Sequence, residues 1–257
     1  MFKIILARLK QGHHTMKYPD GPPPVLPDRF RGYPVVDESK CTAGCHACVE
    51  ACPTGAINLA DKAVVIDIGK CLFCTDCMRA CPTQAIRYSK DHRLSVRNRQ
   101  DLVVSQDRQI KLAEELDTKI KKLFGRSLRL RQVSAGGCNA CEADTNVLNT
   151  LAWDLGRFGI QFVASPRHAD GLLITGPVTK NMQLALKKTY DSVPDPKIVI
   201  AVGACAISGG PYIDHEQTNN GAQAIVPVDL FIPGCPPHPL TILDGLLRLI
   251  GRIEKNK

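Results

Sequence analysis

Twelve cysteines fall in this chain of 257 residues, and eight of them lie between positions 41 and 81. Thiolates are soft ligands that suit zinc or iron–sulfur clusters, so their spacing decides which chemistry is open. In Cys71-x-x-Cys74-x-x-Cys77-x-x-x-Cys81-Pro82, three cysteines three residues apart wrap a tight loop around three corners of a [4Fe–4S] cube. The proline turns the fourth cysteine away, so it cannot close on the same cube. An earlier run, Cys41, Cys45, Cys48 and Cys52-Pro53, repeats the plan. Structural zinc usually takes two ligand pairs separated by a longer loop. Four cysteines in so short a run, twice over and each ending in Cys-Pro, fit zinc poorly.

In two-cluster proteins of this spacing the fourth cysteine ligates the other cluster, and the duplication supplies the reciprocal partner. One cluster is therefore expected on Cys71, Cys74, Cys77 and Cys52, the other on Cys41, Cys45, Cys48 and Cys81. The first copy departs from the pattern, because Cys41-Thr-Ala-Gly-Cys45 has three intervening residues where two are expected. Gly44 can absorb the extra residue at positive φ, and the insertion can retune that cluster without removing a ligand. His46 sits inside the loop, but cysteines already fill the site and a solvent-facing ring is expected.

The other four cysteines, Cys138, Cys141, Cys205 and Cys235, form no compact motif. Their placement carries the argument instead. From residue 127 onward, extended runs (127–133, 160–164, 171–175, 197–202, 225–232) alternate with helical stretches (141–155, 179–190, 239–250). That texture predicts a parallel sheet with helices on both faces, in a flavodoxin-like doubly wound arrangement. Such sheets bind ligands beyond the carboxyl ends of their strands, and all four cysteines follow expected strand ends. Gly136, Gly137, Gly203 and Gly234 accompany them and let backbone N–H groups approach cluster sulfurs. Four thiols on one rim predict a third [4Fe–4S] site. Four merely structural cysteines would explain neither the glycines nor the shared rim.

The first half needs elements that present its two loops. Ala51-Cys52-Pro53-Thr54-Gly55-Ala56-Ile57 returns as Ala80-Cys81-Pro82-Thr83-Gln84-Ala85-Ile86. Each copy reads as a cysteine loop, a turn of helix, a Cys-Pro break and a brief strand, with another strand over 63–67. The expected fold is an α+β ferredoxin-like two-cluster module over 34–90, followed by an α/β flavodoxin-like doubly wound domain over 127–257. An extended arm is expected over 1–33, because its Pro-rich stretch should drape over a surface. A linker over 91–126 should contain a helix at 107–124, where Ile110, Ala113, Leu116, Ile120 and Leu123 recur at helical spacing.

The formal charge of +8 is uneven: residues 1–134 hold 23 basic against 14 acidic residues, and residues 135–257 hold 10 against 11. An oxidised cube on four thiolates carries about −2, so two clusters would offset about half of the first half's excess. The basic residues scatter without interleaved aromatics, and nucleic acid is not an expected partner. The apolar patch Ile4-Ile5-Leu6-Ala7 is too short for a secretory signal, and no run is long enough to span a membrane. Reduced thiols then place the chain in the cytoplasm.

Cys138-Asn-Ala-Cys141-Glu142, Ser165-Pro166-Arg167-His168-Ala169-Asp170, Val202-Gly203-Ala204-Cys205 with Gly209-Gly210, Ile225-Val226-Pro227-Val228-Asp229 and Pro233-Gly234-Cys235-Pro236-Pro237 form an ordered set. Over about 127–250 it resembles the small subunit of group 4 membrane-bound [NiFe]-hydrogenases, of the formate hydrogenlyase and hydrogenase-4 type. The same set resembles the complex I subunit that carries the terminal [4Fe–4S] cluster. Complex I has adjacent cysteines at the first position; here they are separated, as in the hydrogenase branch. From Arg29-Phe30-Arg31-Gly32 through the duplicated cysteines, the chain resembles the two-cluster ferredoxin subunit of those complexes, ordinarily a separate chain. The whole looks like a natural fusion of the two.

The resemblance implies a non-catalytic electron-transfer subunit of an oxidoreductase, with three [4Fe–4S] clusters. Electrons would run between a soluble donor or acceptor, a ferredoxin or formate dehydrogenase-type subunit, and a [NiFe]-hydrogenase-like large subunit that evolves or oxidises H2. Membrane subunits would hold the chain peripherally at the inner face of the cell membrane. A complex I-like or nickel-lacking relative would use the same wire. No catalytic residue is expected, since all twelve cysteines are assigned. Glu142, Arg167 and His168 are candidates for proton coupling or tuning around the third cluster. Their ordinary readings are a helix N-terminal carboxylate, a salt-bridged arginine and a surface histidine. A self-contained enzyme would need a pocket with general acid–base groups, and no such constellation is visible.

Overall fold

Short β-branched runs pair into three sheets in the computed structural model, which describes residues 2–12, 14–60, 63–106, 110–113 and 127–253. In the first half, β1 (Pro34–Val36) pairs antiparallel with β4 (Ile86–Tyr88). Strands β2 (Ile57–Ala60), β3 (Ala63–Asp67) and β5 (Val103–Val104) form a second antiparallel sheet. In β3 the alternation of the sequence turns Val64 and Ile66 inward. The two repeats fold alike. Short helices α2 (Ala47–Glu50) and α3 (Asp76–Ala80) each run into a Cys-Pro turn. Those turns pass through Gly55 at φ 59° and Gln84 at φ 54° before entering β2 and β4.

The second half is a wholly parallel sheet of β6 (Leu128–Ser134), β7 (Ile160–Phe162), β8 (Gly171–Thr175), β9 (Ile198–Val202) and β10 (Leu230–Ile232), ordered β7-β6-β8-β9-β10. Strands β8 and β9 are buried throughout and correspondingly apolar. Leu130, Leu173, Ile200 and Ile232 pack with α7 (Pro239–Leu249), every residue of which is buried. On the opposite face Leu172, Ile174 and Val199 pack with Leu186 of α5 (Lys180–Ser192).

The rest of that face is covered by the first half of the chain. Ala201, Ala206, Ile207 and Phe231 share a core with Ile66, Ile68, Val96 and Leu102. Phe231 and Val96 exchange backbone hydrogen bonds of 2.9 and 3.0 Å, and Ser208 Oγ donates to the Gly69 carbonyl at 2.9 Å. A strap closes the seam. The Met16 N–H donates to the Ala152 carbonyl at 2.9 Å, Tyr18 Oη donates to Asp244 at 2.6 Å, and the Gly32 N–H donates to the Ser89 carbonyl at 2.8 Å.

Several elements differ from expectation. Residues 2–11, counted in the extended arm, form helix α1 (Phe2–Gln11): the segment lacks proline, favours helix, and ends at Gly12 with φ 64°. The helix expected over 141–155 stops as α4 (Ala140–Val147), where Thr150 Oγ1 bonds the Val147 carbonyl and competes with helix continuation. The strand expected over 225–232 is only β10, because Pro227 cannot donate to a ladder. Most of the helix expected over 107–124 lies outside the described residues; residues 110–113 are irregular, with the Ala113 N–H on the Ser95 carbonyl at 2.7 Å. Helix α6 (Ala204–Ser208) was not expected.

Candidate metal centres

The two loops of the first half meet in crossed pairs. Cys71, Cys74 and Cys77 line one cavity with Cys52, whereas Cys41, Cys45 and Cys48 line another with Cys81. The crossing follows from the Cys-Pro turns, which carry each fourth cysteine away from its own loop. Both turns also aim a backbone donor at sulfur: the Ala56 N–H reaches Cys52 Sγ and the Ala85 N–H reaches Cys81 Sγ, each at 3.2 Å. Thr54 and Thr83 hydroxyls stand 3.9 and 3.7 Å from the same sulfurs. In the second loop the Phe73 N–H donates to Cys71 Sγ at 3.3 Å, with Phe73 at φ 55° and Thr75 at φ 73°. The extra residue of the first loop coincides with Gly44 at φ 76°.

Burial pushes the Cys71 thiol up to about 12 and raises Cys48, Cys74 and Cys77 as well. Cys81 runs the other way: burial raises it, but the Thr83 hydroxyl and the Ala85 N–H outweigh that and lower it. Buried thiols become thiolates only against a strong positive charge, so loading iron here releases protons. Sulfur donors, apolar walls such as Ile57, Ile66 and Val64, and N–H groups aimed at sulfur suit a [4Fe–4S] cube. Among the described residues, no three His, Cys, Asp or Glu side chains close on a single ion.

The third group forms where β6, β9 and β10 end. Cys138 and Cys235 are exposed at the rim, Cys141 lies deeper on α4, and Cys205 is buried on α6. Burial pushes Cys205 up to about 12, helped by charge on Cys235 and Cys138. Burial and then Cys205 raise Cys141. Glycine is required beside both inner sulfurs. A Cβ on Gly203 (φ 89°) would stand 2.5 Å from Cys141 Sγ, and one on Gly210 (φ 56°) 2.8 Å from Cys205 Sγ.

The three groups are neighbours. Cys48 of the first group lies in the same buried core as Cys71 and Cys77 of the second. Cys74 and Cys235 line one open cavity of about 310 Å³, and charge on Cys74 adds to the burial and Cys138 effects on Cys235. Arm residues Arg29, Phe30 and Arg31 wall that cavity, and Arg31 donates to the Phe73 carbonyl at 2.6 Å.

Glu142 is only 6% exposed and accepts 2.6 Å hydrogen bonds from Ser134 and Thr175, at the ends of β6 and β8. It follows Cys141 and its charge raises both Cys141 and Cys205. Arg167 and His168 lie exposed on the 3-10 turn Pro166–His168 after edge strand β7, and neither lines the cavities that hold Cys41 to Cys81 or Cys235. His46 is exposed. Tyr88 escaped the sequence reading. Its hydroxyl stands 3.9 Å from Cys71 Sγ and 3.7 Å from Cys77 Sγ, and a single tyrosine on a short strand announces nothing by spacing.

Fold and donor sets together define an iron–sulfur electron carrier. Two family profiles match the chain: the NADH ubiquinone oxidoreductase 20 Kd subunit over residues 138–249, and the 4Fe-4S dicluster domain over residues 40–85. The chain is 42% identical over 145 residues to the probable membrane-bound hydrogenase subunit mbhJ of Pyrococcus furiosus, covering 56% of this chain and 87% of that one. It is 45% identical over 134 residues to formate hydrogenlyase subunit 7 of Escherichia coli, spanning 52% of each chain. It is 43% identical over 118 residues to an NADH-quinone oxidoreductase subunit of Clostridium beijerinckii, covering 46% of this chain and 70% of that one. The chain therefore belongs to the NADH ubiquinone oxidoreductase 20 kDa subunit family, with a dicluster domain preceding the family domain. It is an iron–sulfur subunit of an oxidoreductase complex of hydrogenase-like or complex I-like type.

Proposed function

We propose that this chain relays electrons through three [4Fe–4S] clusters to or from a [NiFe]-hydrogenase-like large subunit. The first is held by Cys41, Cys45, Cys48 and Cys81, the second by Cys52, Cys71, Cys74 and Cys77, and the third by Cys138, Cys141, Cys205 and Cys235. One observation carries the reading: each loop's three cysteines share a cavity with the fourth cysteine of the other repeat, and Cys74 shares a cavity with Cys235.

When bound, each cluster supplies a one-electron redox centre. The chain's own residues hold, space and tune. Backbone N–H groups of Ala56, Phe73 and Ala85, with the Tyr88 hydroxyl, donate toward sulfur and favour the more negative, reduced state. Ile57, Ile66 and Val64 keep water out. Buried Glu142, held by Ser134 and Thr175 next to Cys141, is placed to tune the third group.

The exposed rim at Cys138 and Cys235 is the face offered to the large subunit, and the exposed loop 42–44 faces the soluble donor or acceptor. Hydrogen chemistry belongs to that large subunit, since all twelve cysteines are engaged here. The spaced pair Cys138 and Cys141 favours the hydrogenase branch. The parallel strand order is the 2-1-3-4-5 of a flavodoxin-like domain over 127–257, with the ferredoxin module over 34–90. Among the described residues no helix is long and apolar enough to cross a membrane, which suits peripheral attachment through membrane subunits. Anaerobic purification followed by iron and sulfide analysis tests the cluster count. About twelve of each per chain is expected; zinc in place of iron would refute it.

A further inference from the structure

Among the described residues, helix α1 (Phe2–Gln11) has no buried side chain. Its Phe2, Ile5, Leu6 and Leu9 are 79, 54, 47 and 74% exposed. At helical periodicity these four, spaced i, i+3, i+4 and i+7, form one apolar stripe. Lys3 and Lys10 flank the stripe on one side and Arg8 on the other. No acidic residue precedes Asp20 in the sequence. Ten residues of helix span about 15 Å, half of the roughly 30 Å hydrocarbon core, so α1 cannot cross a bilayer.

The chain just beyond α1 is fastened to the second half. The Gly12 N–H closes the helix end on the Arg8 carbonyl at 3.1 Å. Thr15 Oγ1 then donates to the Leu151 carbonyl at 3.0 Å, and the Met16 N–H to the Ala152 carbonyl at 2.9 Å. Leu151, at that fastening, is itself 82% exposed.

The geometry points to α1 as a membrane-surface helix that docks directly on anionic lipid, its stripe in the acyl boundary and its cations at the phosphates. Basic residues on both margins of an apolar stripe favour this occupant. Their stems lie along the hydrocarbon while their charged ends reach headgroups on either side. The inference is independent of how many clusters the chain holds.

Flotation of the purified, cofactor-loaded full chain with vesicles tests it. On phosphatidylcholine vesicles containing phosphatidylglycerol the chain should float, less so as salt rises. Replacing Lys3, Arg8 and Lys10 together by Gln should weaken partitioning roughly a hundredfold, at about fivefold per basic residue near the surface. Leu6→Asp with Leu9→Asp should abolish it, with the visible spectrum and melting temperature unchanged. Failure of the unaltered chain to float, or variants that float as well as it does, would overturn the inference. So would capture only by vesicles carrying the complex's membrane subunits, which would assign the stripe to a protein groove.

Discussion

Tyr88 and Leu59 occupy equivalent places in the two repeats, yet only Tyr88 brings a hydroxyl to a cysteine group. Donors to cluster sulfurs stabilise the reduced state, so Tyr88→Phe should lower the potential of the second cluster and leave the others in place. Potentiometric EPR checks this; an unchanged or raised potential would contradict it. Gly203 offers a steric test. Gly203→Ala would place Cβ 2.5 Å from Cys141 Sγ at φ 89°, and iron content should fall by about four per chain, the content of one cube, with the first two clusters kept. The grouping of the first eight cysteines was legible because spacing and duplication predict which of them meet, and those sets line common cavities. Tyr88, Ser134 and Thr175 were not, because their roles arise only when distant strands bring them to a sulfur or to Glu142.

At the scale of elements, strands over 63–67 and 171–175 have the bounds that their uninterrupted apolar or alternating runs predict. Legibility failed where local chemistry overrode periodicity, as at Pro227 and Thr150, and where a helix buries no side chain among the described residues, as with α1. The arm's role was half visible: proline predicted extension, but not that Tyr18 would seal a buried carboxylate. Asp244 is fully buried, accepts from Tyr18 Oη at 2.6 Å, and holds Arg248 Nε at 2.8 Å. Tyr18→Phe should destabilise the chain by about 1–3 kcal/mol, because a buried charged acceptor loses a partner. Thermal denaturation would register a lower midpoint, and an unchanged one would mean that water replaces the hydroxyl.

For the whole molecule, the consequential feature is that the dicluster module covers part of the parallel sheet and shares a core with it through Phe231, Ala201 and Ile207. Two modules joined by a loose linker would leave the second and third cysteine groups free to separate. A shared core and the strap from Met16 to Gly32 hold Cys74 and Cys235 on one cavity wall. The proposed relay, with fourth ligands exchanged between the first two groups, is tested most directly by three single variants compared by EPR after anaerobic reduction. Cys52→Ala is expected to lose the same signal as Cys74→Ala, while the signal lost in Cys45→Ala remains. Loss in Cys52→Ala of the signal that Cys45→Ala loses would contradict the crossed ligand sets.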